Sequence, residues 1–396
     1  MATEVQEPDR QRGSPRAGSR VRTFELFELS HQIVPRRGPS IAWASAHEYA
    51  LVKLTDSDGV EGWGETYLVP TVMETLDQLA PVALGRLPER RLQIRSDVGW
   101  ATSNAYARSA VAIALEDLRA RQLGISVAAL YGGAVRERVQ LYAASGGYVE
   151  GEDPDRTWPE EAERVVRAGF GVLKMRIGRY PIERERSLIE RLRRDLPARF
   201  QLAADGNAAY TFDEAVRVGR ILEELGFRWF EEPLDQWGGY VGYERLADAL
   251  AITLSGGEVL MSRMAAAEFL ARRAVDLVQP EPVIIGGVGE AVFVGSLARL
   301  YGIPSMPHTS NSAIGIAAAL QVLALTPDPS PSPSTPAPLL EFGADENPWR
   351  DRLLQEPLRH EDGWMTIPSG PGLGVEVDEA FVRAHASGAR KHEWRD

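Results

Sequence analysis

The stretch GVLKMRIG, Gly171–Gly178, reads as a short buried β-strand with Lys174 and Arg176 in its middle and only Met175 between them. Successive strand side chains point to opposite faces, so the two cations share one face. Desolvating two like charges side by side is costly unless anions lie opposite. The stretch therefore raises the question of where those anions lie.

Outward from it, the texture repeats. Short apolar runs end in polar or glycine residues and are followed by helical segments: LYAASGG from Leu141, FQLAADGN from Phe200, FRWFEEP from Phe227, ITLSGGE from Ile252, DLVQPEP from Asp276, IPSMPH from Ile303 and LLEF from Leu339. Helical periodicity fills the gaps, as in TFDEAVRVGRILEELG with Thr211 as N-cap. Eight strands with helical crossovers predict a parallel α/β sheet closed into a TIM-type (β/α)8 barrel. An open doubly wound sheet is the alternative, but the first turns lack its Gly-x-Gly-x-x-Gly signature. The Pro/Ser-rich insert at 326–338 precedes the last strand, which places it at the N-terminal face of the barrel.

Before the barrel, VRTFELFELS and EYALVKLTDSDGVEGWGET read as strands with a hairpin signal at Asp58-Gly59, and SAVAIALEDLRARQLG reads as a helix. The predicted organisation is a disordered tail over 1–20, an α+β capping domain over 21–138, the barrel over 139–360, and a segment over 361–396 that returns to the cap. Among 396 residues, 44% hydrophobic and 25% charged are ordinary globular values, and a net charge of -12 argues against a nucleic-acid partner. The absence of cysteine excludes disulfides, thiolate metal sites and a cysteine nucleophile. No run is long and apolar enough for a membrane span, and the first twenty residues lack the core of a signal peptide, so a cytoplasmic protein is expected.

Active sites of such barrels sit at the C-terminal strand ends. The polar residues gathered there are Lys174, Arg176, Asp205, Asn207, Glu231, Glu232, Glu258, Glu281, His308 and Glu341. Taken singly, each has an ordinary explanation, such as a helix cap, a solvated loop residue or a satisfied core histidine. Jointly, Asp205, Glu231 and Glu258 end three consecutive strands, and convergent carboxylates repel unless a cation sits among them. A hard divalent ion, most simply Mg2+, answers that.

In order, Lys-x-Arg, ADGN, FEEP, SGGE, QPE followed by GG, and PH resemble the enolase superfamily, closest to its mandelate racemase-like branch. The resemblance runs from about Val21 to the end and implies a modified (β/α)7β barrel. It implies Mg2+ ligation by Asp205, Glu231 and Glu258, with Asn207 a polar neighbour of metal and substrate. It makes His308 the catalytic histidine, Glu281 the acid that orients it, and Glu341 the acid that meets the substrate carboxylate as it becomes an enediolate. Two departures stand out: Glu281 replaces the usual Asp, and Arg176 stands where a second, basic lysine is common.

Removing a proton from carbon beside a carboxylate requires a base that is neutral near pH 7. Histidine meets that requirement and arginine does not. With His308 as the one base, abstraction followed by loss of a β-hydroxyl is expected: dehydration of a sugar acid, aldonate or aldarate, to a 2-keto-3-deoxy acid. Lys174 and Arg176 add positive charge, and Glu341 a shared proton, at the oxyanion. The alternatives are a racemase or epimerase with Lys174 as opposing base, a cycloisomerase, or a catalytically lapsed binding scaffold.

The segment SHQIVPRRGPSIAW, Ser30–Trp43, resembles a mobile cap loop over the barrel mouth. Arg36 and Arg37 there would bind a distal carboxylate, or else are two solvated loop arginines. Trp43, and Tyr67 in GETYLVP, complete the expected substrate wall. A homo-oligomer acting on a small carboxylate, with no nucleic acid or membrane partner, is expected.

Overall fold

The computed structural model describes residues 18–237, 239–332 and 335–395. The disordered-tail expectation falls almost wholly on residues outside these. The described chain begins with a three-stranded antiparallel meander, β1 (Val21–Gly38), β2 (Ala44–Asp56) and β3 (Glu61–Tyr67). Three helices follow: α1 (Val72–Ala83), α2 (Arg91–Ala101) and α3 (Ala105–Leu123). Asn104 caps α3 by accepting from Ala107 N–H, and Gly124 ends it in the left-handed region. Gly62 and Gly64 let α3 lie directly on β3, because a Cβ at either position would collide with the helix backbone. Val21, Phe24, Leu26, Val52, Leu76 and Val111 pack into the core of this cap.

The barrel opens with β4 (Arg138–Ala144), and a short β5 (Tyr148–Val149) after it pairs back onto β1. Then come β6 (Val172–Arg176), β7 (Gln201–Asp205), β8 (Phe230–Glu231), β9 (Leu254–Gly256), β10 (Leu277–Val278) and β11 (Leu339–Phe342). The parallel ladder runs β10-β9-β8-β7-β6-β4, and β11 pairs parallel with the far side of β4. The eighth strand position is the Ser305 segment, which meets β10 through a single parallel bridge to Val278. Its seam with β11 is closed by Thr309, whose hydroxyl donates to Glu341 O at 2.7 Å. The result is a TIM-type barrel under an α+β cap.

The predicted Thr211 cap is present as a full capping box with Glu214 on the helix Phe212–Glu224. Strand alternation sorts side chains as expected: Leu173 and Met175 join the large core beneath the helices, whereas Val172, with Tyr142, Ala203, Trp229, Met306 and Leu339, plugs the barrel interior. Lys174 and Arg176 continue that inward row toward the mouth.

Beyond β11, a hairpin of β12 (His360–Glu361) and β13 (Trp364–Thr366) pairs with β4. The last strand, β14 (Gly388–Glu393), pairs antiparallel with β1. One expectation changes. The span Ser30–Trp43 is mostly strand, because β1–β2 pairing continues through His31↔His47 and Gln32↔Ala46, shifts register, and resumes at Arg37↔Ala44. Only residues 39–43 remain as connecting loop. Among the described residues, no helix is long and apolar enough to cross a membrane.

Candidate active site at the barrel mouth

Register sets the acids side by side: Arg176 lies opposite Asp205, Asp205 opposite Glu231, and Glu231 opposite Ser255, three residues before Glu258. Fully buried Lys174 places Nζ 2.5 Å from Glu231 Oε1, 2.7 Å from Glu341 Oε1 and 3.5 Å from Asp205 Oδ2. Arg176 donates to Asp205 and, at 3.0 Å, to Asn207 Oδ1. These acids are the anions the GVLKMRIG strand demanded.

The barrel plug braces them. Trp229 Nε1 and Gln279 Nε2 each donate to Glu231 Oε2 at 3.0 Å, and Tyr142 O–H donates to Glu341 Oε2 at 2.9 Å. The Tyr142 and Trp229 rings meet edge to face, with centroids 5.1 Å apart. Glu232 turns away from this group, at φ 38°, and accepts from Tyr240 O–H and Gly257 N–H.

On the other wall, Glu281 is bonded to His308 Nδ1, and Nε2 lies 3.1 Å from Glu258 Oε2 and 3.7 Å from Glu341 Oε2. The longer Glu281 side chain therefore reaches the imidazole. Burial alone would lower the His308 pKa, but Glu258, Glu341 and Glu281 outweigh it and hold it well above its ordinary value. Burial likewise opposes the charge on Lys174, and Glu231, Glu341 and Asp205 overcome it, so the ammonium stays protonated. Although burial pushes Glu341 up, Lys174, His308 and Arg176 bring it down to about 2. These three cations favour the carboxylate form of Glu341.

The donor set suits a hard cation. Five carboxyl groups, Asp205, Glu231, Glu258, Glu281 and Glu341, crowd around three cationic groups, and burial pushes Asp205 up to about 7 even beside Arg176. Oxygen atoms of Glu231 and Glu258 and a ring nitrogen of His308 all lie within 4.8 Å of one another. The expected trio included Asp205 in place of His308. Here Asp205 turns toward Arg176 on the adjacent strand, since the two are paired across the ladder.

A cavity of about 350 Å³ leads from Arg176 and Glu341 past Ser145, Ser310 and Asn311 to Arg37 and His47. Of the four expected wall residues, only Arg37 lines it, and its guanidinium is paired with Asp345. Arg36 pairs with Glu150 at the half-exposed surface. Trp43 stacks under the Arg179 guanidinium, 3.8 Å from the ring centroid. Tyr67 stands behind the cavity and accepts from Asn311 Nδ2 at 3.1 Å. Sequence reasoning missed Tyr142, Trp229 and Gln279. The first two share the inward face with Ala144 and Glu231 two positions on, which is the signal that was there to find.

A capped (β/α) barrel with carboxylates, a buried lysine and a histidine–glutamate pair at its mouth defines an enzyme of the enolase type. The chain belongs to the mandelate racemase / muconate lactonizing enzyme family of that superfamily. Residues 28–132 match its N-terminal domain, and residues 158–381 match the enolase C-terminal domain-like family. The chain is 33% identical over 343 residues to the D-galactarolactone cycloisomerase of Agrobacterium fabrum, covering 83% of this chain and 89% of that one. It is 29% identical over 381 residues to the arabinonate dehydratase of Saccharolobus solfataricus, covering 92% and 99%. The L-talarate dehydratase of Polaromonas sp. JS666, solved with Mg and L-glucarate, superposes with a TM-score of 0.80 over 96% of this chain and 100% of that one; at 23% identity it shows the fold alone.

Proposed function

We propose that this enzyme is a Mg2+-dependent acid-sugar dehydratase in which His308 is the single base. The observation that carries the reading is the Glu281–His308 pair, in which Nδ1 is committed to Glu281 and Nε2 stays toward Glu258 and Glu341 at the mouth. Lys174 is locked as a cation by three acids, and Arg176 is a guanidinium. That leaves His308, with Nδ1 committed to Glu281, as the group able to present a basic nitrogen at the barrel mouth once a cation offsets the acids around it. Asp205, Glu231 and Glu258 are the residues that would hold the ion. When bound, Mg2+ would offset the carboxylates that keep His308 protonated and would stabilise negative charge on the substrate carboxylate.

Nε2 of His308 takes the proton α to the carboxylate, and Glu281 stabilises the imidazolium. Lys174 and Arg176 donate toward the enediolate oxygens. The electron pair then expels the β-hydroxyl, which leaves as water with the proton from His308. The resulting enol loses its C2 hydroxyl proton and takes one at C3 to give the 2-keto-3-deoxy acid, so substrate is converted to product plus water. Asn207 is held beside this group of residues by Arg176, which donates to its Oδ1.

A second reading shares every step up to the leaving group. One-base elimination breaks whichever C–O bond lies β to the carboxylate, and in a cyclic substrate that bond opens a ring without loss of water. The relative named as a cycloisomerase, at 33% identity, favours keeping it. Racemisation is disfavoured because Lys174 is held protonated. The test is a panel of aldonates, aldarates and their lactones, assayed with Mg2+ for 2-keto acid formation and for ring opening. Chelation with EDTA should abolish turnover and Mg2+ should restore it; turnover that persists without divalent metal sinks the proposal.

A further inference from the structure

The cavity has two unlike ends. At the inner end, Arg176 and Glu341 line the cavity, with Lys174 buried against Glu341. At the outer end, the guanidinium groups are already committed. Arg37 is paired with Asp345. Arg350 donates to the carbonyls of Gly343 and Asp345 at 2.5 Å and to Asp351 at 2.8 and 2.9 Å. Arg36 lies outside the cavity on Glu150. His47 is held below its ordinary pKa by burial, so it is a neutral imidazole at pH 7. Glu346 adds a further acid to this wall.

Between the two ends the lining is neutral and polar. Ser145, at the C-terminal end of β4, is buried, and its hydroxyl has no hydrogen-bond partner. A buried unpaired hydroxyl costs free energy unless a ligand group meets it. Ser145 lines the same cavity as Arg176, Glu341, Ser310 and Asn311.

Building on the dehydratase reading, we propose that the enzyme selects acid sugars with one free carboxylate. That carboxylate is held at the Arg176 end, and a neutral hydroxylated tail lies along Ser145 and Ser310 toward the Arg37–Asp345 pair. A second terminal carboxylate is selected against. To be bound, it would have to take Arg37 from Asp345, leaving two carboxylates side by side near Glu346. Like-charge contacts of this kind discriminate between ligands by about tenfold to a hundredfold.

The test uses the full chain with Mg2+ and a matched set of six-carbon aldonates and aldarates. Calorimetric binding to His308→Asn, which cannot consume them, should show the tightest aldonate at least about tenfold tighter than the tightest aldarate. Asp345→Asn, which frees Arg37, should narrow that ratio by about tenfold in the same background. The wild-type kcat/KM ratio across the same set gives the comparison independently of either variant. An aldarate bound or converted as well as the best aldonate overturns the inference, as does a ratio unmoved by Asp345→Asn or no binding of either class. Aldonates that bind selectively but are never dehydrated sink the dehydratase reading while leaving the selectivity intact.

Discussion

Glu281 seats a carboxylate oxygen on Nδ1 of His308, 27 positions further along the chain, so the imidazole turns Nε2 toward Glu258 and Glu341. Both side chains are buried, and the pair joins the end of β10 to the Ser305 strand segment. Replacing Glu281 by Gln keeps the shape but removes the charge that stabilises the imidazolium. We expect kcat to fall about 10²-fold with KM little changed, and Glu281→Asp to fall between the two. Steady-state kinetics on the best substrate checks this; a fall confined to KM would mean that Glu281 acts on binding alone.

Lys174 is fully buried among Glu231, Glu341 and Asp205. Lys174→Met leaves those carboxylates desolvated without their shared cation. Removal of one partner from such a buried group costs about 3–5 kcal/mol. Urea unfolding of the metal-free protein should show the loss as a lower midpoint with an unchanged slope. An undiminished midpoint would show that the acids take up protons at no cost.

Arg176 stands where the family often carries a second basic lysine. Its neighbours Asp205, Glu341 and Glu231 would hold a lysine there in the charged form as well, as they do Lys174. Arg176→Lys should therefore lower kcat/KM by roughly tenfold or more through loss of the guanidinium contacts to Asp205 and Asn207. It should not create a second base. Incorporation of solvent deuterium with inversion at the α-carbon of recovered substrate would refute this.

Glu65 is buried and accepts from Ser312 N–H and Gly315 N–H at 2.8 Å, yet burial raises its pKa from 4.5 to about 7. Between those values the folded protein binds a proton that the unfolded chain releases. Stability from this group is full below about pH 4.5, falls as pH rises through the window, and is level above about pH 7. Glu65→Gln has no such proton. The stability of the wild type relative to the variant should fall by about 3 kcal/mol between the two ends. Denaturant melts of both proteins across that range measure the difference, and a constant difference would show that Glu65 is ionised throughout.

The strand ends were legible because each carries a compact local signal. KMR, ADGN, FEEP, SGGE and PH place charged groups two residues apart or at a turn, and strand alternation then dictates which face they share. The wall of the cavity was not legible. Arg36 and Arg37 are adjacent in sequence, but one meets Glu150 and the other Asp345, 114 and 308 positions away. No local pattern distinguishes them. The bracing of Glu231 by Trp229 was within reach through its i, i+2 spacing, whereas that of Glu341 by Tyr142 spans 199 positions.

What the amino-acid order determined by itself is the barrel, the set of acids at its mouth, and Lys174 and Arg176 sharing one inward face, because periodicity and strand alternation are properties of the local backbone. The tertiary structure alone decided the electrostatic setting: Lys174 and His308 are each held toward the charged form and Glu341 toward the carboxylate. Those states depend on burial and on charges brought within a few ångströms from strands far apart in the chain. Electrostatic energy in a desolvated site is set by those distances, which no sequence spacing records.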